Sequence, residues 1–237
     1  MLVTVANHNH NQQAIRLKDA FASACSTVLI DSGSRLTAEE EDRVDIGLPN
    51  VYYTGLINEA WRQTNTMGPE DILLFVSSDI EIDRPVDLVS RAAKCFEDKR
   101  VGLYAPSMEI SDHLQMRTGG SSKPRVVIFV EGVVFAVRKK IIDRLCPVDP
   151  SENQIGWALD VHLGYLTLKS GLRTVVDDGI QIRHHPARGY DDEVARKQAE
   201  KWLKSQGLQA AKFWELAIKH RYQTKIGFWK TRILCQL

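Results

Sequence analysis

Apolar residues along this chain fall into short continuous runs that alternate with segments of helical spacing. Residues 72–76 form the strongest run, and a fully apolar run of strand length is typical of a central strand covered on both faces. Residues 2–6 and 27–31 are similar runs, and the segment between them, 12–24, has a loosely apolar helical face. A strand, a helix and a strand within about thirty residues predict a βαβ unit with parallel strands.

The same alternation continues through the middle of the chain. It predicts further strands at residues 50–53, 101–105, 125–130, 133–137, 173–176 and 180–182. It predicts further helices at about residues 56–66, 85–99, 139–145, 160–170, 191–203 and 209–217. Residues 107–124 interrupt the pattern with a polar loop that contains Gly119-Gly120-Ser121-Ser122, a composition that indicates flexibility. This loop is predicted to be either a lid or a disordered surface insertion.

These elements predict an α/β, Rossmann-like fold with a mixed, mostly parallel central sheet flanked by helices. A chain of 237 residues buries one sizeable core, which favours a single domain with an appendage. We assign residues 1–190 to the domain and residues 191–237 to a helical extension that is basic and aromatic at its end.

Composition and charge exclude several classes of protein. The net charge is +1 and 43% of residues are hydrophobic, so the chain is neither disordered nor a binder of nucleic acid by bulk charge. The four cysteines are scattered without a Cys-x-x-Cys pair, which predicts reduced thiols rather than a zinc site. No signal peptide or membrane-spanning apolar run is evident, and we therefore expect a cytoplasmic protein.

Two acids follow the apolar run 72–76 directly. Asp79 and Glu81 are one residue apart at the carboxyl end of this strand, which is where open α/β sheets bind ligands. Carboxylates at alternate positions of an extended segment point the same way, so both can face one divalent cation that in turn holds a diphosphate. The alternative is an acidic turn before the helix that starts near Pro85.

Two later positions are candidates for chemistry as well. Asp160 lies near a predicted helix start, where an acid is also favoured by the helix dipole whatever the function. His184 and His185 follow the predicted strand 180–182, and a histidine at a strand end near two acids is a plausible third metal ligand.

The last nineteen residues, 219–237, contain no acid. Five Lys or Arg residues alternate there with Tyr, Phe, Trp, Ile and Leu, a pattern that suits an anionic membrane surface. A basic helix packed back on the domain and a nucleic-acid patch are the alternatives. If the segment binds a membrane, we expect a peripheral protein at the inner face of the cell membrane.

Several motifs in chain order resemble the family-2 glycosyltransferases of the GT-A fold, in particular those that assemble bacterial polysaccharides and O-antigens. The matching motifs are Val3-Thr-Val-Ala-Asn7, Leu29-Ile-Asp31-Ser-Gly-Ser34, Gly55-Leu-Ile-Asn-Glu-Ala-Trp61, Phe75-Val-Ser-Ser-Asp79-Ile-Glu81, Glu131-Gly132, Trp157-Ala-Leu-Asp160 and His184-His185. Together they cover residues 1 to about 190.

This resemblance implies a function and a set of site residues. It implies a nucleotide-sugar donor bound by Asn7, Asp31, Ser78 and Asp79, and a glycan or lipid-linked glycan as acceptor. It implies that Mn²⁺ or Mg²⁺ is the cofactor and that Asp160 is the catalytic base. The metal ligands implied are Asp79, Glu81 and a histidine, for which we prefer His185 to His184.

The sequence departs from the family pattern in two places. Leu159 stands where many members have a second acid before the base, and Ser77 and Ser78 stand where many have acids or asparagines. A catalytically silent binder of nucleotide sugars or glycans is therefore an alternative. A nucleotidyltransferase is disfavoured, because residues 7–13 contain none of the Gly, Lys or Arg residues of a phosphate loop.

Overall fold

The computed structural model describes residues 1–185 and 190–219, in which strands and helices alternate along most of the chain. The first half contains β1 (Leu2–Asn7), α1 (Asn11–Ala22), β2 (Ser26–Ser32), α2 (Ala38–Glu41), β3 (Ile46–Leu48), α3 (Tyr52–Arg62), β4 (Ile72–Ser77), β5 (Ile80–Glu81) and α4 (Pro85–Phe96). The second half contains β6 (Val101–Met108), β7 (Arg125–Val127), β8 (Val134–Arg138), α5 (Lys139–Leu145), α6 (Leu159–Lys169), β9 (Arg173–His184), α7 (Asp192–Ser205) and α8 (Leu208–Lys219).

The strands form a mixed sheet in the order β3-β2-β1-β4-β8-β6-β9-β5, with β7 paired to β9. The first four strands of this order are mutually parallel, as the βαβ pattern predicts, and β6 is parallel to β9. Strand β8 lies antiparallel between β4 and β6. A mixed sheet flanked by helices confirms the predicted fold class. Because β1, β2 and β4 run in one direction, their carboxyl ends meet at one edge of the sheet.

Strand β4 lies mid-sheet, as its apolar run predicts. Residues 73–76 are at most 1% exposed, because β1 and β8 cover both sides of the strand and helices cover the sheet. Phe75 lies opposite Phe135 of β8, and the two rings stack with their centroids 5.4 Å apart. The ring of Tyr53 meets Phe75 edge-on at 5.6 Å. The segment from Asp79 to Glu81 follows β4 at the edge of this core.

The last two helices of the described residues, α7 and α8, pack against the same core. Their buried side chains include Ala199, Trp202, Leu203 and Phe213. The helical character of residues 191–219 agrees with the sequence pattern, and the domain boundary at residue 190 stays a prediction. Within residues 1–185 and 190–219, no helix combines the length and the apolar character that a bilayer crossing requires.

The sequence interpretation was wrong about two elements. Residues 50–53 are not a strand: α3 begins at Tyr52, and the third strand is the shorter β3. Three β-prone residues do not separate a strand from a helix start, and the hydroxyl of Tyr53 in this helix donates to the carbonyl of Gly132 at 2.5 Å. The two strands predicted at 173–176 and 180–182 are one strand, β9, whose register against β6 shifts between Pro106 and Ser107.

The polar loop before β7 is tied to β9 by one carboxylate. Asp178 accepts hydrogen bonds from the backbone N–H groups of Gly119 at 3.0 Å and Ser121 at 2.9 Å. It also pairs with Arg125, whose Nε and Nη2 lie 3.0 and 2.9 Å from the two carboxylate oxygens. The side chain of Asp178 is only 1% exposed. Asp178 therefore holds residues 119–125 of this loop against β9, and the role of the loop as a lid stays a prediction.

Replacing Asp178 with asparagine is expected to lower the free energy of unfolding by about 2–3 kcal/mol, since Arg125 loses its counter-charge. Burial raises the pKa of the Asp178 carboxyl, but hydrogen bonds from Arg125, Ser121 and Gly119 outweigh it and leave this pKa below its ordinary value. The wild-type contribution is therefore present above about pH 4 and is lost as pH falls through the lowered pKa. Urea unfolding of wild type and variant at several pH values measures the difference in the free energy of unfolding. Equal unfolding midpoints of the two proteins at pH 7 would contradict the prediction.

Candidate active site

Three of the predicted donor-binding residues form one buried network where β1, β2 and β4 end. Asn7 donates from Nδ2 to Oδ1 of Asp31 at 2.8 Å, and its own Oδ1 accepts from the hydroxyl of Ser78 at 2.9 Å. Each of the three residues is at most 2% exposed. The network also holds Ser34, whose backbone N–H donates to Asp31 at 2.9 Å. These side chains shape the loops at the strand ends, and their direct contact with a donor stays a prediction.

The fourth donor-binding candidate, Asp79, lies in the turn between β4 and β5. Its Oδ2 is 3.1 Å from Nε2 of His184, and Nδ1 of the same ring is 3.9 Å from Oε1 of Glu131. Burial raises the pKa of the Asp79 carboxyl, but its contact with His184 helps to bring the net pKa below the ordinary value. Its other oxygen, Oδ1, is buried and has no hydrogen-bond partner among the described residues. Asp79 therefore offers one unused carboxylate oxygen.

Glu81 makes a separate set of contacts. It lies in β5 opposite Arg183 of β9, and its Oε1 is 3.1 Å from Nε2 of His185. The backbone N–H of His185 donates to the carbonyl of Asp79 at 3.0 Å, which joins the two contact sets. The structure thus brings Asp79, Glu81, His184 and His185 to one strand tip, with each acid against a different histidine.

The described residues contain no preassembled group of three His, Cys, Asp or Glu side chains arranged around one point. The predicted trio Asp79, Glu81 and His185 therefore stays a prediction. The residues nevertheless suit a divalent cation chemically, because carboxylate oxygens are the ligands that Mg²⁺ and Mn²⁺ prefer and Asp79 Oδ1 lacks a partner. His184, the histidine that the sequence analysis ranks second, is the one that contacts Asp79.

Asp160, the predicted base, lies in the first turn of α6. Its carboxylate accepts from the backbone N–H groups of Val161 at 2.7 Å and Gly132 at 3.2 Å. Burial raises the pKa of this carboxyl to about 7, against those two hydrogen bonds and with help from the charge of Glu131. A carboxylate with a pKa near neutrality is suited to proton transfer. The raised pKa is not explained by a helix-capping role, which would favour the charged form.

The backbone around Asp160 is closely packed and strained. Ala158, just before α6, has a φ of 70°, in the left-handed region that residues other than glycine rarely adopt. A Cβ at position 132 would lie 2.5 Å from the hydroxyl of Tyr53, so a larger residue there would displace the hydroxyl that donates to the Gly132 carbonyl. Such strain is concentrated at functional sites.

Several solved structures of similar fold contain a nucleotide and a divalent metal. GalNAc-T7 with UDP, GalNAc and Mn²⁺ matches with a TM-score of 0.61 at 11% identity, over 99% of this chain and 54% of that chain. The mannosyltransferase PcManGT from Pyrobaculum calidifontis, with GDP-Man and Mn²⁺, matches with 0.61 at 14% identity, over 99% and 73%. Glucosyl-3-phosphoglycerate synthase from Mycobacterium tuberculosis, with Mg²⁺ and UDP, matches with 0.55 at 13% identity, over 86% and 78%.

The chain has the GT-A fold. This confirms the resemblance at the level of the fold, and identities of 11–14% carry no more than that. The chain spans about half the length of GalNAc-T7, with 54% of that chain covered. No protein-family model matches the sequence, and no curated protein matches it.

Two residues of this site, Glu131 and Tyr53, are not identified as site residues by the sequence analysis. Glu131 is quoted there only as part of a motif, although it lies 3.9 Å from His184, helps to raise the pKa of Asp160 by its charge and accepts from the Ser111 hydroxyl at 2.7 Å. Tyr53 is missed because its segment is misassigned as a strand. Burial and the charges of Asp160 and Asp79 raise the Tyr53 pKa. The residues 220–237 of the basic-aromatic segment lie outside the described part of the chain.

Proposed function

We propose that this protein is a metal-dependent glycosyltransferase that moves a sugar from a nucleotide-diphosphate sugar to an acceptor hydroxyl. The observation that carries the proposal is the geometry at one edge of a GT-A sheet. Asp79 with a free carboxylate oxygen, Glu81 and two histidines lie at the strand tip, while Asp160 with a pKa of about 7 lies on the neighbouring helix start. Three solved proteins of this fold contain Mn²⁺ or Mg²⁺ with UDP or GDP-Man.

A divalent cation would be held by Asp79 and Glu81, with one of the two histidines. When bound, such a cation supplies positive charge that stabilises the departing diphosphate. The carboxylate of Asp79 is kept ionised for this role, since the net shift of its pKa is downward. The buried network of Asn7, Asp31 and Ser78 fixes the loops against which a nucleoside would lie.

Asp160 is proposed to accept the proton of the acceptor hydroxyl as that oxygen attacks the sugar. The N–H groups of Val161 and Gly132 fix its two oxygens, so the carboxylate is oriented before the acceptor arrives. We assign Asp160 as the base and assign none of the other carboxylates among the described residues, Glu131 included, as a nucleophile. A single displacement that inverts the anomeric centre is therefore the mechanism we propose.

This function is tested by a thermal-shift screen of nucleoside diphosphates on the full chain, with and without Mn²⁺. A ligand that binds the native state raises the apparent melting temperature. A shift that requires both the nucleotide and the metal supports the proposal, and no shift with any nucleotide contradicts it. The alternative of a catalytically silent binder predicts the same shift, but neither hydrolysis nor transfer of sugar from the donor that binds.

We further propose that the acceptor is a glycan or lipid-linked glycan, and that residues 219–237 attach the protein to an anionic membrane at the cytoplasmic face. The support is the composition of this segment, in which five basic residues and no acid alternate with aromatic and aliphatic ones. Each basic residue near a negatively charged leaflet contributes about 1 kcal/mol, and burial of the apolar side chains adds to it.

Removal of residues 219–237 is therefore expected to abolish binding to anionic liposomes while leaving nucleotide binding unchanged. The full chain should co-sediment at low salt and be released at high salt, because salt screens charges at a membrane surface. Vesicles of neutral lipid are the control. If the full chain stays in the supernatant with anionic vesicles at low salt, the segment has another role and the lipid-linked acceptor loses its support.

A further inference from the structure

Arg183, near the end of β9, lies between two acidic side chains at the strand tip. Its Nη1 is 3.2 Å from Oε2 of Glu81, and its Nε is 2.7 Å from Oε2 of Glu109. Glu81 is its partner in the antiparallel register of β5 and β9, and Glu109 comes directly after β6. The guanidinium therefore connects a proposed metal ligand to a second carboxylate.

The fold does not depend on these two ion pairs. About half of each side chain in this group is exposed: 51% for Arg183, 55% for Glu81 and 43% for Glu109. Ion pairs with this exposure contribute little to folding stability, because water screens them and long side chains lose freedom when they pair. Arg183 is thus free to exchange its partners at small cost. Its planar N–H donors also match the oxygens of a phosphate group, to which arginine binds in bidentate fashion.

A divalent cation on Glu81 would weaken the ion pair between Glu81 and Arg183. The cation and the guanidinium compete for the same carboxylate, and two cations this close repel each other. The guanidinium would keep Glu109 as a partner but lose Glu81, which leaves its Nη1 donor for another anion. In a site that holds a nucleotide-diphosphate sugar, the diphosphate beside the metal is such an anion.

We propose that Arg183 binds the diphosphate of the donor, and that Glu81 and Glu109 hold its guanidinium at the site until metal and donor arrive. This inference rests on the proposed function. If the inference is correct, Arg183 has opposite effects on two binding steps. Arg183 weakens the binding of the metal when no nucleotide is present, and it strengthens the binding of the nucleotide when the metal is present. A residue that only supports the fold would not shift the two affinities in opposite directions.

Calorimetry on the full-length wild type and on Arg183→Gln tests these two effects. Each protein is titrated first with MnCl₂ alone and then with UDP, GDP or pyrophosphate at saturating MnCl₂. We expect Mn²⁺ to bind about fivefold more tightly than in the wild type. We expect the diphosphates that the wild type binds to bind the variant about tenfold more weakly. Arg183→Lys keeps the charge without the planar donors, so it should restore the wild-type Mn²⁺ affinity and only part of the diphosphate affinity.

Arg196→Gln is the matched control, because Arg196 is also 51% exposed and pairs with a glutamate, Glu200, but lies on α7. This variant should leave both affinities at their wild-type values. Equal diphosphate affinities of wild type and Arg183→Gln would overturn the inference and leave the proposed function standing, and so would a weaker Mn²⁺ affinity in Arg183→Gln. A wild type that binds none of the three diphosphates with Mn²⁺ overturns both. If Arg183→Gln fails to fold, the Lys variant alone decides through its reduced diphosphate affinity.

Discussion

Asp160→Asn is expected to lower turnover by about two to four decades while donor binding stays close to that of the wild type. Asparagine has one acceptor oxygen, so it can keep the hydrogen bond from either Val161 or Gly132, and its amide nitrogen takes the place of the oxygen that accepts the other. It cannot take a proton from an acceptor hydroxyl. Steady-state rates and calorimetric donor affinities of the purified variant separate the two effects, and wild-type turnover would remove Asp160 from its proposed role.

The pH dependence supplies an independent check on the same residue. Burial raises the pKa of Asp160 to about 7, so its carboxylate is progressively protonated as pH falls below that value. We expect kcat/KM of the wild type to fall about tenfold per pH unit on this acid side. The residual activity of Asp160→Asn should lack this acid limb. Asp87→Asn is the control, because Asp87 is also an acid in the first helical turn, in α4, and should leave turnover unchanged.

Asp79→Ala is expected to weaken metal-dependent nucleotide binding by about 100-fold or more, and Glu81→Ala by about 10- to 100-fold. The larger effect falls on Asp79 because its partly buried carboxylate has an unpartnered oxygen, whereas Glu81 is more than half exposed. Both variants should fold, since neither side chain belongs to the apolar core. Calorimetry with UDP and GDP at several Mn²⁺ concentrations measures the loss.

The control for these variants lies at the other end of the same strand. Asp71 precedes β4 and its side chain accepts from the backbone N–H of Gly68 at 2.7 Å, so Asp71→Ala removes an acid without touching the strand tip. Its nucleotide affinity should equal that of the wild type. Nucleotide affinities that do not depend on added divalent metal, or that are unchanged in both tip variants, would remove the metal assignment.

The sequence predicts β1, β2 and β4 well because its signals for these strands are local. Residues 72–76 are apolar without interruption since β4 is covered on both faces, and the acids follow as soon as the strand leaves the core. The segments around Asn7 and Asp31 end their strands in the same way, and parallel pairing brings them together in register. For these residues, strand ends and parallel pairing are sufficient to predict a shared site.

The rest of the site depends on contacts between distant segments, which a local pattern does not contain. Glu131 comes within 3.9 Å of His184, and its charge acts on Asp160, only because β9 and α6 lie beside the turn that carries it. The choice between the two histidines depends on the register of β5 against β9, which places His184 opposite Ile80. Tyr53 is assigned to a strand from its β-prone neighbours, and its contact with Gly132, which is 79 residues further along, reverses that assignment.

The anchoring of the 119–125 loop by Asp178 affects how this protein can be engineered. Asp178 lies on β9, which also carries Arg183 and His184, so the loop and the strand tip share one continuous support. A chimera that exchanges the loop alone would leave the buried charge of Asp178 without its donors. Residues 107–125 and 177–185 should therefore be transplanted together when segments are recombined between proteins of this fold.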